Sequence, residues 1–159
     1  MDNEKRKVYT ARISQANRSE LVVIIYELML DSIEIARESF QNGDLELAEK
    51  ELKRAQGLLQ EMRGSLDLQY EVSAKLASLY RYIHEQLVQS IVRRKDVNLD
   101  SCQRVIKGLM DSFEKVAQQD DSGPVMENAQ QVYAGLTYGR GSLNEVALDV
   151  HTENRGYRV

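Results

Sequence analysis

The chain has no tryptophan, one proline (Pro124), one cysteine (Cys102) and two phenylalanines in 159 residues. A single cysteine cannot close an intrachain disulfide, which excludes a disulfide-stapled secreted scaffold and makes the reducing cytoplasm the expected compartment. One proline and nine glycines leave little punctuation, which suits long helices better than a turn-rich β architecture. The Met1 end is polar where a signal peptide would carry an apolar stretch. The longest apolar stretch, Leu21 to Tyr26 and Leu28 to Leu30, is interrupted by Glu27 and stopped by Asp31, so it reads as a buried helix and not a bilayer span. Excess positive charge is also missing: the formal charge is −4, and Lys5, Arg6 and Lys7 form only a short basic run. Nucleic acid is therefore not expected as a partner, nor is membrane insertion.

What is present suffices for one core, since 42% of the residues are hydrophobic and the length suits one domain with appendages. Asn17 followed by Glu20 has the form of a capping box and opens the first predicted helix. Two adjacent stripes follow, Leu21, Ile25, Leu28 and Ile35 on one, Val22, Tyr26, Met29, Ile33, Ala36 and Phe40 on the other. Two neighbouring stripes make a wide buried arc, so this helix should be the most enclosed. Asn42-Gly43-Asp44 supplies a left-handed stop and the next N-cap.

The second helix carries Leu45, Ala48, Leu52, Ala55, Leu59, Met62 and Leu66 in steps of three and four. Phase is lost around Leu66 to Tyr70 and resumes with Val72, Leu76, Leu79, Tyr80, Ile83, Leu87 and Ile91. Arg93-Arg94-Lys95 places positive charge where a helix dipole favours it. Asn98 or Asp100 is positioned to cap a fourth helix striped by Leu99, Cys102, Ile106, Leu109, Phe113 and Val116. Short connections between sequential helices predict an all-α, antiparallel up-down four-helix bundle. The expected organisation is a mobile N-terminal cap segment over 1–16, a bundle over 17–119 and an irregular C-terminal tail over 120–159, with Pro124 marking the boundary. The tail is glycine-punctuated yet apolar enough, through Val132, Tyr133 and Leu136 among others, to dock on something.

Reaction chemistry is sparse. His84 is followed by Glu85, Gln86 and Leu87, not by the Lys and Gly usual after the phosphorylated histidine of helical phosphotransfer modules. A dimetal carboxylate bundle needs Glu three residues before His, but Arg81 precedes His84 and Leu148 precedes His151. Cys102 sits in an apolar stripe as a small core residue. Gly135 to Gly141 imitates a phosphate loop, but lacks a preceding strand and a closing Lys-Ser/Thr pair. Charged pairs such as Glu49 with Lys53, and Glu34 with Glu38, read as solvated helix faces. The expectation is a non-enzyme with no cofactor and no metal.

From Tyr9 to Val116 the order of short strings resembles the flagellin export chaperones, the FliS family. A Tyr precedes a small-polar stretch, Ser14 to Ser19, that leads to Glu20-Leu21; Ile25-Tyr26-Glu27 stands where the family has Leu-Tyr-Asp. Lys53-Arg54-Ala55-Gln56 and Ser65-Leu66-Asp67 match its middle, and Leu79-Tyr80-Arg81-Tyr82-Ile83 its Leu-Tyr-Asp-Tyr-Met element. The usual Pro before the first helix and a Trp late in the fourth are absent, and the tail exceeds the family core.

The resemblance implies a chaperone that binds the C-terminal segment of flagellin, prevents premature polymerisation and delivers it for secretion, with the flagellar export apparatus as a second partner. Client-binding residues should be apolar and beside the core stripe, which selects Leu47, Leu58, Ala77, Tyr80, His84, Val88, Val105 and Met110. Tyr9 and Ile13 would form a displaceable cap, and Val132, Tyr133 and Leu136 a plug in cis. Two rival functions stay open at this point: a phosphotransfer module acting through His84, and an oligomerising helical interaction module.

Overall fold

The computed structural model describes residues 3–65 and 71–126. Among them are five helices and no strand: α1 (Asn3–Gln15), α2 (Arg18–Asn42), α3 (Leu45–Gly64), α4 (Glu71–Arg93) and α5 (Leu99–Ala117). The all-α expectation holds, with one helix more than the stripes suggested.

The additional helix is α1, which lies within the segment anticipated as an N-terminal cap. Its sequence is rich in good helix formers, with Glu4 in the first turn and Arg12 in the last, matching the helix dipole. The Arg12 guanidinium lies 5.6 Å from the Tyr9 ring centre, and the Thr10 hydroxyl donates to the Arg6 carbonyl at 2.8 Å. Its apolar residues do not gather on one face, so no stripe announces it.

Residues Ala16–Gly123 form a compact unit. At its start, Asn17 Oδ1 accepts from the Glu20 N–H at 2.8 Å and Glu20 Oε2 accepts from the Asn17 N–H at 2.9 Å, the reciprocal capping box. α2 ends at Gly43, whose φ of 79° is a left-handed conformation that Gly adopts without steric cost. Asp44 Oδ1 then accepts from the Leu47 N–H at 3.0 Å and opens α3. The α2–α3 hairpin is thus written into three consecutive residues.

α2 packs on both α3 and α5, α3 also packs on α4, and α4 touches α5, the slightest of these contacts. The shared core is Tyr26, Met29, Ile33 and Ala36 from α2, Leu52, Ala55, Leu59 and Met62 from α3, Tyr80, Ile83 and Leu87 from α4, and Leu99, Cys102 and Ile106 from α5. Each large apolar side chain enclosed this way contributes roughly 1.5–3 kcal/mol relative to exposure. α2, which makes the two most extensive of these contacts, is the most enclosed, as its double stripe indicates.

Two stripes need correction. On α4 the buried register is Tyr80, Ile83 and Leu87, whereas Val72 is 68% exposed and Leu79 37% exposed. Leu79 and Tyr80 are adjacent, so only one can face inward, and the core takes the tyrosine. On α5, Val116 is 53% exposed and lies outside the core.

The α4–α5 connection also differs from expectation. Asn98 occupies the N-cap position with φ 54° and makes no side-chain capping bond. Asp96 caps instead, its Oδ1 accepting from the Leu99 N–H at 3.0 Å, while Asn98 Nδ2 donates to Gln86 Oε1 at 3.1 Å. The Val97 N–H donates to Ser90 Oγ at 3.0 Å, tying the connection back to α4.

Candidate functional site

Three polar constructions fix the compact unit before any surface can be assigned to binding. The first is central. The hydroxyls of Tyr26 on α2 and Tyr80 on α4 bond to each other inside the core, and the Tyr26 ring lies tilted against Phe113 of α5 at 5.8 Å between centres. Burial pushes both phenols up, strongly for Tyr26, so neither ionises in the folded protein near neutrality. Tyr26 and Tyr80 both belong to the resembling strings, and their place is structural.

The second construction joins α2 to α5. Arg37 donates through Nε to Asp96 at 2.9 Å and through a terminal nitrogen to Gln103 Oε1 at 2.6 Å, and Gln103 Nε2 donates to Glu34 at 2.5 Å. The Asp96 carboxylate holds the Arg37 guanidinium more firmly protonated. Glu34 therefore takes part in a clasp and is not only a solvated charge.

The third lies at the other end of α5. Asn17 Nδ2 donates to the Asp120 carbonyl at 3.2 Å, and the Ser19 hydroxyl donates to Asp120 Oδ2 at 2.6 Å. Ser122 contributes its N–H at 3.0 Å. The Ser122 and Ser19 hydroxyls hold the Asp120 carboxyl down to about 2, so this junction stays intact throughout the mildly acidic range.

Cys102 is fully buried, and burial, with Asp96 and Asp100 adding repulsion, pushes its thiol up to about 12. A neutral, enclosed thiol is a packing group. A thiol-specific disulfide reagent at mildly alkaline pH is expected to leave Cys102 unmodified in the native protein and to titrate it fully in concentrated urea. Rapid modification without denaturant would contradict its place in the core. Among the described residues no group of three or more His, Cys, Asp or Glu side chains is placed to hold a metal ion, and no helix is long and apolar enough to cross a membrane.

The eight residues selected for partner binding do not form one surface. Tyr80 is 0% exposed and its hydroxyl is engaged, so it is corrected from groove to core. Leu58, Val105 and Met110 are half-buried against the core, and Ala77, His84 and Val88 are half-buried on α4. Leu47 is exposed on α3. Tyr9 and Ile13 are half-buried residues four apart on α1. Val132, Tyr133 and Leu136, like Leu66 and Asp67 of the resembling strings, lie outside the described residues.

Helical spacing sorts the α4 residues onto two flanks of its core stripe. Tyr82 donates to Ser101 Oγ of α5 at 3.1 Å and Gln86 accepts from Asn98, so the flank carrying Val72, Leu79, Tyr82 and Gln86 faces α5. Ala77, His84 and Val88, at steps of seven and four, occupy the other flank. On α5, Ser101, Val105, Leu109 and Val116 share the face that meets Tyr82. An apolar seam therefore runs between α4 and α5, formed by exposed Leu79 with half-buried Tyr82, Val105 and Leu109, and extended by exposed Val72 and Val116. Leu79 stands in the apolar stripe expected for this helix and Tyr82 in none, so spacing alone assigns neither to a binding surface.

The described unit thus carries apolar side chains along one seam outside its core, the kind of surface that can take an amphipathic helix. Residues 1–120 match the family described as flagellar protein FliS. The chain belongs to that family of flagellar chaperones. Over 108 residues it is 25% identical to the flagellar secretion chaperone FliS of Bacillus subtilis (strain 168), a stretch that covers 68% of this chain and 81% of that protein.

Proposed function

We propose that this protein is a cytoplasmic chaperone of flagellum assembly in which α2 to α5 act as an antiparallel up-down four-helix bundle. It binds the C-terminal helical segment of flagellin, prevents its polymerisation and passes it to the export apparatus. The observation that carries the reading is the α4–α5 seam, where Leu79, Tyr82, Val105 and Leu109 line up outside a core that is already complete. Membership of the FliS family supports the flagellar setting.

The physics is that of occupancy. An amphipathic flagellin helix hides its apolar face in the seam, and the same face is then unavailable for filament contacts. Binding draws the client toward its unassembled form by mass action, and no bond is made or broken. Ala77, His84 and Val88, on the other flank of α4, offer a second place for a further client helix.

Calorimetric titration of a flagellin C-terminal peptide into the full-length chain is the direct test. Saturable uptake of one peptide per chain is expected. Self-association by light scattering, with no heat on adding peptide, would sink the reading in favour of an oligomerising module.

A further inference from the structure

The turn after α4 is built against the usual chemistry of a helix stop. The Lys95 N–H donates to the Ser90 carbonyl and the Arg94 N–H to the Ile91 carbonyl, both at 3.2 Å, the paired closure in which one residue turns left-handed. That residue is normally Gly, as Gly43 is after α2; here it is Arg94 at φ 52°. A long side chain in this conformation is an outlier that the fold tolerates at a cost. The helix dipole explains a cation in the last turn, a role Arg93 already fills, but not one at the left-handed position.

Among the described residues these cations make no direct ion pair, although Arg94 is close enough to Glu49 for its charge to help keep that carboxyl ionised. Arg93, Arg94 and Lys95 are exposed, and Val92 beside them is 74% exposed. Acids nearby are engaged elsewhere: Glu49 with Lys53 at 2.7 Å, Asp96 with Arg37 at 2.9 Å and Asp100 with Arg104 at 2.8 Å. Among the described residues none of the three cations makes a side-chain ion pair, in a chain whose formal charge is −4. Positive charge is thus held out at one turn, next to an apolar side chain.

We propose that Val92 to Lys95 is a docking site for a short acidic segment of a partner protein, its carboxylates on the three cations and one apolar side chain on Val92. Charge complementarity selects the acid, and the exposed valine selects a peptide over a nucleic acid, whose extended polyanion the negative remainder of the chain would repel. The site stands on observations separate from the α4–α5 seam and does not depend on the flagellin reading.

Fluorescence anisotropy of a short labelled peptide of glutamates around one leucine, titrated with the full chain, tests it. Saturable binding that weakens with added salt is expected, with no binding of the glutamine counterpart. Arg94→Gly should weaken binding about threefold, the scale of one exposed ion pair, while raising the urea midpoint, because Gly suits the left-handed stop. The triple change Arg93→Gln, Arg94→Gly and Lys95→Gln should abolish it. Failure of the wild-type chain to bind the peptide overturns the proposal. So does full affinity retained by the more stable Arg94→Gly variant, or tighter binding of an oligouridylate.

Discussion

Tyr80→Ala is expected to lower the unfolding free energy by about 3–5 kcal/mol, the range for removing a large aromatic side chain from a packed core. Tyr80 is fully enclosed and reaches from α4 to Tyr26 on α2, whose ring in turn lies against Phe113 of α5. One substitution therefore loosens three helices. Against a typical total of roughly 5–15 kcal/mol, the loss brings the protein close to the folding threshold at physiological temperature. Since the chain has no tryptophan, urea unfolding is best followed by far-ultraviolet circular dichroism.

Tyr80→Phe separates the hydroxyl from the ring. It keeps the packing but leaves the Tyr26 hydroxyl buried without its partner, at a cost of about 1–3 kcal/mol. The double variant Tyr26→Phe with Tyr80→Phe removes both polar groups and should lie closer to the wild type than Tyr80→Phe alone. Additive losses in the double variant would show that the two hydroxyls do not depend on each other.

Leu79→Asp is expected to weaken uptake of the flagellin peptide by at least about tenfold, the factor that 1.4 kcal/mol corresponds to. It should shift the unfolding midpoint little, because Leu79 is 37% exposed and outside the core cluster. A charge in the centre of the seam must be desolvated when an apolar helix face lies on it, a cost that a solvent-screened cation such as Lys75 one turn away offsets only slightly. Val88→Asp, on the opposite flank of α4, is the comparison. If Val88→Asp destroys binding and Leu79→Asp leaves it intact, the client lies on the α3 side and the α4–α5 seam is not the principal site.

The neighbouring positions 79 and 80 also show where the sequence stopped being readable. Four helices and several of their ends were legible because those boundaries are local: Asn17 with Glu20, Gly43 with Asp44, and the basic end of α4 all act within a few residues. The α4 register was not local. Leu79 and Tyr80 satisfy the same spacing rule, and what decides between them is Tyr26, placed opposite only by the tertiary fold. The seam inherited that ambiguity, since a leucine assigned to the core cannot be proposed for the surface.

Other misses have equally specific causes. α1 carries helical propensity without an apolar stripe, so a reading based on periodicity passed over it. Asn98 looked like a cap because of its type, yet its left-handed backbone and its bond to Gln86 leave the capping to Asp96. The Glu34–Arg37–Gln103–Asp96 clasp joins residues far apart in the chain, and in isolation each reads as ordinary surface polarity.

The Asp120 junction has a topological consequence. Asn17 and Ser19 at the entrance of α2 are bonded to Asp120 beyond the exit of α5, so the path through α2 to α5 returns to its starting point and closes into a ring. In a ring no cut is privileged. The two ends of the Ala16–Gly123 unit could be spliced by a short linker and new ends opened at the Gly43 turn, a circular permutation of that unit in which every core neighbour is retained while the order of synthesis changes.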